Sequence, residues 1–282
     1  MKAALQAGRE LFANSDSPRM DAEILLMAVL GKPREYLYTW PEQELTTAQQ
    51  DAFAGYCRRR AQGTPIAYLT GRRWFWNFEL KINARVLIPR PETELLVEAT
   101  LEVLQGVGQA RVADLGTGSG AIALALASER PDWQIVACDK SLEALALARE
   151  NCQALRAGNV SLRAGNWCEA LGSTGQWTAL DALVANPPYI GADDPHLELG
   201  DVRFEPRQAL VAAAAGLADI ALLVADSRAC LRPEGWLLLE HGFEQGEAVR
   251  SLLWQQGYAG IETRRDLSGH ERLTLAQWPG RA

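Results

Sequence analysis

Arg111-Val-Ala-Asp-Leu-Gly-Thr-Gly-Ser-Gly120, running on into Ala121-Ile-Ala-Leu-Ala-Leu-Ala-Ser128, decides the fold of this chain. A short apolar run, a turn with three glycines and an alanine- and leucine-rich segment read as strand, turn and helix, the opening of a βα unit. Glycines at 116, 118 and 120 let the backbone approach a ligand closely, and the helix start behind them is expected to offer free N–H groups and positive dipole character. A carboxylate or phosphate is therefore expected against the loop formed by Gly116, Thr117, Gly118, Ser119 and Gly120. Gly116-x-Gly118-x-x-Ala121 also satisfies the dinucleotide fingerprint, so the glycines leave a nicotinamide cofactor and S-adenosylmethionine both open. Asp114 favours the second, because a carboxylate before the loop suits a sulfonium cation and repels a pyrophosphate.

The rhythm around this unit extends it into a sheet. Helical and strand patterns alternate as helix 93–105, strand 111–115, helix 119–129, strand 134–138, helix 141–155, strand 160–163 and strand 181–185. A long helix at 214–231, a strand at 235–240 and two late strands near 258–264 and 271–277 follow, the last two joined closely enough for an antiparallel pair. The expected fold is α/β: a doubly wound, mostly parallel seven-stranded sheet of Rossmann-like type, which binds ligands at the carboxyl ends of its strands. Asp139 stands at one such end, about twenty residues past the glycines, where a carboxylate meets ribose hydroxyls. After the next strand come Asn166, placed to bond an adenine edge, and Trp167, placed to pack on the ring.

Asn186-Pro187-Pro188-Tyr189 follows the apolar run Ala182-Leu-Val-Ala185. Two consecutive prolines fix two φ angles and remove two backbone donors, so this turn presents acceptors. A substrate NH2 group would donate to the Asn186 side-chain carbonyl and to a backbone carbonyl such as that of Pro187, with the face of Tyr189 against the planar group. Such a turn suits methylation of an amide or amino nitrogen.

Bulk properties narrow the class. A chain of 282 residues has room for two domains, and no apolar stretch reaches the roughly 18 residues of a membrane span. The start of the chain carries no charged-then-apolar leader, and five scattered cysteines without a C-x-x-C pair suit free thiols in a reducing, cytoplasmic setting. Three histidines far apart in sequence give no reason to expect a metal. A formal net charge of −7 argues against a broad grip on nucleic acid phosphates, despite Arg58-Arg-Arg60 and Arg72-Arg73. A monomer is the default expectation.

Residues 1–70 lack strand alternation and carry helix punctuation: Asp16-Ser-Pro18 before an apolar-periodic segment that stops at Gly31, and a further helix from Thr46 or Thr47 to Ala61. They read as a small all-helical domain. The aromatic and β-branched segment 74–82 with 86–88 reads as a β-hairpin linker over 71–90, leaving 91–282 for the α/β domain.

With these motifs in place the chain resembles the glutamine methyltransferases that modify peptide chain release factors, the family often called HemK or PrmC. The likeness spans both expected domains: Pro65-Ile-Ala-Tyr-Leu-Thr-Gly71, Leu87-Ile-Pro-Arg-Pro-Glu-Thr-Glu94, Val202-Arg-Phe-Glu-Pro206 and Leu239-Glu-His-Gly242 all look like family blocks. The resemblance implies methyl transfer from S-adenosylmethionine, leaving S-adenosylhomocysteine, to the side-chain amide of the glutamine in a Gly-Gly-Gln tripeptide, with the helical domain helping to hold the release factor. It implies cofactor contacts at Gly116 through Gly120, Asp139, Trp167 and Asn186, and glutamine contacts at Asn186 through Tyr189. Many members carry aspartate where this chain has Asn166, whose carbonyl can still accept from an adenine amino group. Two other readings of the same motifs are an adenine- or cytosine-amino methyltransferase acting on DNA or RNA, and a cofactor-binding protein that has lost catalysis.

Overall fold

A computed structural model describes residues 1–12, 15–172 and 177–280. The chain forms two compact units, one of residues 1–72 together with 198–204, the other of 73–197 and 205–282.

The first unit is helical: α1 (Lys2–Leu11), α2 (Pro18–Leu30), α3 (Arg34–Thr39), α4 (Thr47–Ala61) and α5 (Ile66–Thr70). Pro18 opens α2, and Gly31 ends it in the left-handed region at φ 61°. Thr46 and Gln49 form a reciprocal capping box at the start of α4. Phe12, Leu25, Leu26, Leu37, Phe53 and Leu69 fill the core between them. Two buried acids are held by arginines, Glu23 by Arg19 and Arg34 at 2.9 and 2.6 Å, and Asp21 by Arg60 at 2.7 Å. Arg58 and Arg59 are solvated, as arginine runs on helices commonly are, but Arg60 also binds Asp201 at 2.9 Å and so ties residues 198–204 to the helices. Nothing in the sequence signals that return of a distant segment.

The second unit begins with a two-stranded sheet, β1 (Arg72–Phe75) and β2 (Phe78–Lys81). Its turn falls at Trp76-Asn77, inside the stretch expected to be one strand, and Val86-Leu-Ile88 is not a strand. Trp76 adopts φ 57°, and its N–H is taken by Glu94 Oε1 at 2.9 Å, so a tertiary hydrogen bond fixes the turn. Then follow α6 (Glu94–Val103), β3 (Arg111–Leu115), α7 (Ala121–Glu129), β4 (Gln134–Asp139), α8 (Leu142–Leu155), β5 (Val160–Ala164), β6 (Leu180–Ala185), α9 (Ala218–Asp226), β7 (Leu231–Glu240), α10 (Gly246–Gln255), β8 (Ala259–Arg265) and β9 (Glu271–Trp278).

The seven strands lie in the order β5-β4-β3-β6-β7-β9-β8. β3 to β7 are parallel, and β9 runs antiparallel to both neighbours. The chain winds outward from β3 through β4 to β5, then restarts on the other side of β3 with β6, which makes the carboxyl ends of β3 and β6 the switch point. Every residue of β6 is buried: the apolar run Ala182–Ala185 is covered on both faces, and Asp181 near its start is paired with Arg232 at 2.7 Å. The helix expected over 214–231 is shorter, ending in a 3-10 turn at Ser227–Ala229. Ala214 and Ala215 have positive φ, and a Cβ on Gly216 would stand 2.0 Å from the Tyr189 carbonyl oxygen. Close packing against the Tyr189 backbone thus overrides the helix preference of four alanines.

Candidate active site

The glycine turn is held from within. Gly116 and Thr117 both donate their N–H to Cys138 O, at 2.8 and 2.9 Å; Gly118 N–H goes to Asp139 Oδ2 and Gly120 N–H to Thr117 O. Those four N–H groups of the turn are thus already bonded within the protein. Asp114 is placed differently from the expectation. It is fully buried beneath the turn, where Oδ2 accepts from Thr117 Oγ1 at 2.6 Å and Ala123 N at 3.2 Å, and Oδ1 has no partner. Burial raises its carboxyl to about 7. Asp114 braces the turn and does not line the cleft.

Above the turn a solvent-open cleft holds about 650 Å³ of empty space. Gly116, Gly118, Asp139, Asn166, Trp167, Asn186 and Pro188 all line it. Asp139 accepts from Gly118 N at 2.9 Å through one oxygen and from Ser141 N at 2.8 Å through the other. Ser141 in turn caps α8, so the carboxylate joins the glycine turn to the next helix start and is fixed in orientation. Trp167 adopts φ 43°, its indole N–H donates to Asp219 Oδ1 at 2.9 Å, and its ring lies so close to Gly116 that a Cβ there would meet Cζ3 at 2.9 Å. Gly116 is thus required by its neighbour as much as by any ligand.

Asn186 leaves the carboxyl end of β6, which pairs with β3 up to Leu115↔Ala185, and so faces the glycine turn across the switch point. Its Nδ2 donates to Thr93 Oγ1 at 3.2 Å, which leaves the side-chain carbonyl for a ligand. Pro187 and Tyr189 do not reach the cleft wall, and neither do Thr117, Ser119 and Gly120. Tyr189 is held from behind: its hydroxyl donates to Glu240 at 3.4 Å and its carbonyl accepts from Gln245 Nε2 at 3.0 Å. Burial pushes its phenol well above the usual range. Arg90 pairs with the buried Glu205, and Glu205 also accepts from Ile88 N at 3.0 Å, which joins two of the sequence blocks away from the cleft wall.

Sequence reasoning did not single out Arg85, Val86, Leu87, Gln208 and Ala209 as parts of the wall. The first three adjoin the Ile88-Pro-Arg-Pro block, which carried a signal. Gln208 and Ala209 return to the cleft because Ile190 pairs with Val211, a long-range bridge without a local pattern. The wall fits S-adenosylmethionine: apolar Val86, Leu87 and Trp167 suit a nucleoside, Asp139 offers an oriented acceptor, and a Cβ at Gly118 would meet nothing within 4 Å, so that side of the turn is open to a ligand.

The family model described as PrmC N-terminal domain matches residues 3–71, and that described as Methyltransferase small domain matches 91–205. The chain is 51% identical to the release factor glutamine methyltransferase of Salmonella typhimurium, over 94% of both chains. It belongs to the release factor glutamine methyltransferase family. The family's Pseudomonas aeruginosa member is also 51% identical, and its Escherichia coli member 49% identical, each over 94% of both chains. A solved methyltransferase from Pyrococcus furiosus, 16% identical with a TM-score of 0.53, covers 81% of this chain and all of its own, and shares the fold. Members of this family are S-adenosylmethionine-dependent methyltransferases, and no helix among the described residues is long and apolar enough to cross a membrane.

Proposed function

We propose that this chain methylates the side-chain amide nitrogen of the glutamine in the Gly-Gly-Gln tripeptide of peptide chain release factors. The observation that carries the reading is that Asn186, with its amide nitrogen committed to Thr93, stands on the wall of the same cleft as Gly116, Gly118, Asp139 and Trp167. An acceptor for an NH2 group and a nucleoside site therefore meet at one switch point. In this reading Gly116 and Gly118, with Asp139, Trp167 and Asn186, meet the cofactor while Thr117, Ser119 and Gly120 shape the turn behind them, and Asn186 and Pro188 meet the glutamine while Pro187 and Tyr189 fix the path of their turn.

S-adenosylmethionine, when bound, supplies an electrophilic methyl group on a sulfonium sulfur. The difficulty lies with the nucleophile, since an amide nitrogen shares its lone pair with its carbonyl. Asn186 Oδ1 accepts one N–H and a carbonyl of the proline pair accepts the other, which fixes the NH2 plane and aims the remaining electron density. Asp139 keeps lone pairs beyond its two backbone bonds for the ribose hydroxyls. Among the described residues no histidine or cysteine lines the cleft, so in this reading positioning carries the rate, and the acidic proton of the methylated amide leaves after transfer.

The helical unit, about residues 1–70, holds the protein substrate, the α/β part over 91–282 carries the reaction, and the enzyme works as a cytoplasmic monomer without nucleic acid contact. Labelled S-adenosylmethionine offered with purified release factor, its Gly-Gly-Gln glutamine-to-alanine variant, DNA and RNA tests this. Label in the wild-type factor alone is expected; label in nucleic acid refutes it. Asn186→Ala is expected to lose at least about 100-fold in kcat, on the scale of removing one oriented group from a reacting centre, with cofactor affinity changed far less.

A further inference from the structure

Glu240, in the Leu239-Glu-His-Gly242 block, ends β7 in the interior and has no part in the mechanism above. It is 3% exposed, its Oε2 has no hydrogen-bond partner, and among the described residues no cation forms a salt bridge with it. Burial raises its carboxyl to about 7; the Thr93 hydroxyl, Arg272 and the Tyr189 hydroxyl counteract that rise, whereas Glu92 adds to it. A buried carboxylate without a salt bridge is costly, and packing alone would be served as well by a neutral side chain.

What Glu240 touches gives it a use. The Tyr189 hydroxyl donates to Oε1 at 3.4 Å, and the Thr93 hydroxyl, itself 4% exposed, lies near enough to the same carboxyl to counter its rise. Thr93 Oγ1 is also the acceptor for Asn186 Nδ2 at 3.2 Å. One buried acid thus stands behind both ends of the Asn186–Tyr189 turn. The Tyr189–Glu240 and Asn186–Thr93 bonds, at 3.4 and 3.2 Å, are long, as catalytic hydrogen bonds are before a site is filled.

We propose that Glu240 is a positioning residue for methyl transfer, one that sets which end of the Asn186 amide faces the substrate. A hydroxyl has one proton to give, and a carboxylate only accepts. With its proton drawn to Glu240, Thr93 is left to accept, so Asn186 must turn its NH2 to Thr93 and its carbonyl to the cleft. A glutamine at 240 can donate to Thr93 instead, which frees the Thr93 proton for Asn186 Oδ1. The flipped amide then presents NH2 to the NH2 of the substrate, and the nucleophile is repelled. Tyr189, bonded to the same carboxylate, loses its anchor in the same step.

This inference rests on the proposed role of Asn186 and is tested in the full chain with purified release factor. Glu240→Gln, Thr93→Val, Thr93→Ser and the Glu240→Gln/Thr93→Val pair are compared for melting temperature, cofactor affinity by calorimetry and kcat. Expected are an unlowered melting temperature for Glu240→Gln, cofactor affinity within about threefold of the parent, and a kcat loss of about 10- to 100-fold, the scale of a misplaced reacting group. Thr93→Ser should recover most of what Thr93→Val loses, and the double variant should be no worse than the poorer single, because both act through one chain of bonds. A Glu240→Gln enzyme with parental kcat, a Thr93→Ser as slow as Thr93→Val, or additive losses would overturn the role of Glu240 while leaving the function standing. If Glu240→Gln does not fold, the threonine pair decides. A parent chain that transfers no methyl group to release factor overturns both.

Discussion

Replacing Gly116 by alanine tests how the cofactor wall is built, because two separable costs fall on that one methyl group. Gly116 sits at φ 78°, where a side chain costs about 1 kcal/mol in the backbone alone. Its Cβ would also lie 2.9 Å from Cζ3 and 3.3 Å from Cη2 of Trp167, inside ordinary contact distance. The indole cannot move freely, since its N–H is held by Asp219 at 2.9 Å and its own backbone is at φ 43°. Overpacking of that kind adds about 1–3 kcal/mol, for a total of about 2–4 kcal/mol. Gly118 is the internal control: φ is 56°, but no atom lies within 4 Å of its Cβ position, so Gly118→Ala should lose only the backbone share, about 1 kcal/mol. Urea unfolding of the two variants, and of each with Asp219→Ala, reads the difference. Releasing the indole with Asp219→Ala should shrink the Gly116→Ala penalty and leave that of Gly118→Ala unchanged. Calorimetric titration with S-adenosylhomocysteine should show weaker binding for Gly116→Ala, because the displaced ring moves along the cleft wall. Equal destabilisation of the two glycine variants, or a Gly116→Ala penalty indifferent to Asp219, would refute the reasoning.

Further expectations concern buried charge. Asp114 is protonated more readily in the folded chain, at about 7, than in the unfolded one, so its contribution to stability is fully present below its unfolded value near 4 and is lost as pH rises through 7. Asp114→Asn should flatten the fall in unfolding free energy between about pH 4.5 and 7 by about 1.4 kcal/mol per pH unit, read by urea unfolding at several pH values; an unchanged slope would contradict the assignment. Arg90→Ala removes an arginine partner from the fully buried Glu205 carboxylate and should cost clearly more in urea unfolding than breaking the exposed pair Arg85–Glu143, where Arg85→Ala should cost less than about 1 kcal/mol. In the helical unit, Arg60→Ala breaks bonds to both Asp21 and Asp201 and should expose residues 198–204 to limited proteolysis before any other part of that unit; a protease-resistant variant would show that Arg60 does not hold the segment.

The sequence by itself determined the seven strands and their parallel rhythm, because β3, β4 and β6 are buried along most of their length and must be apolar almost without interruption. It determined the glycine turn, Asp139 and Asn186 as strand-end residues for the same reason: local pattern fixes where a strand stops. Tertiary structure alone decided which groups those residues face. Asp114 looked like a partner for a cation and is instead a buried brace for Thr117 and Ala123, since a side chain's direction at a strand end depends on the turn folded over it. The alanines before Gly216 lost their helix to the Tyr189 carbonyl, and the hairpin turn moved to Trp76 because Glu94 binds its N–H. Gln208, Thr93 and Glu240 came to the site through pairings between segments far apart in the chain, Ile190 with Val211 and Asn186 with Thr93, and such contacts leave no periodic trace in the residues that make them.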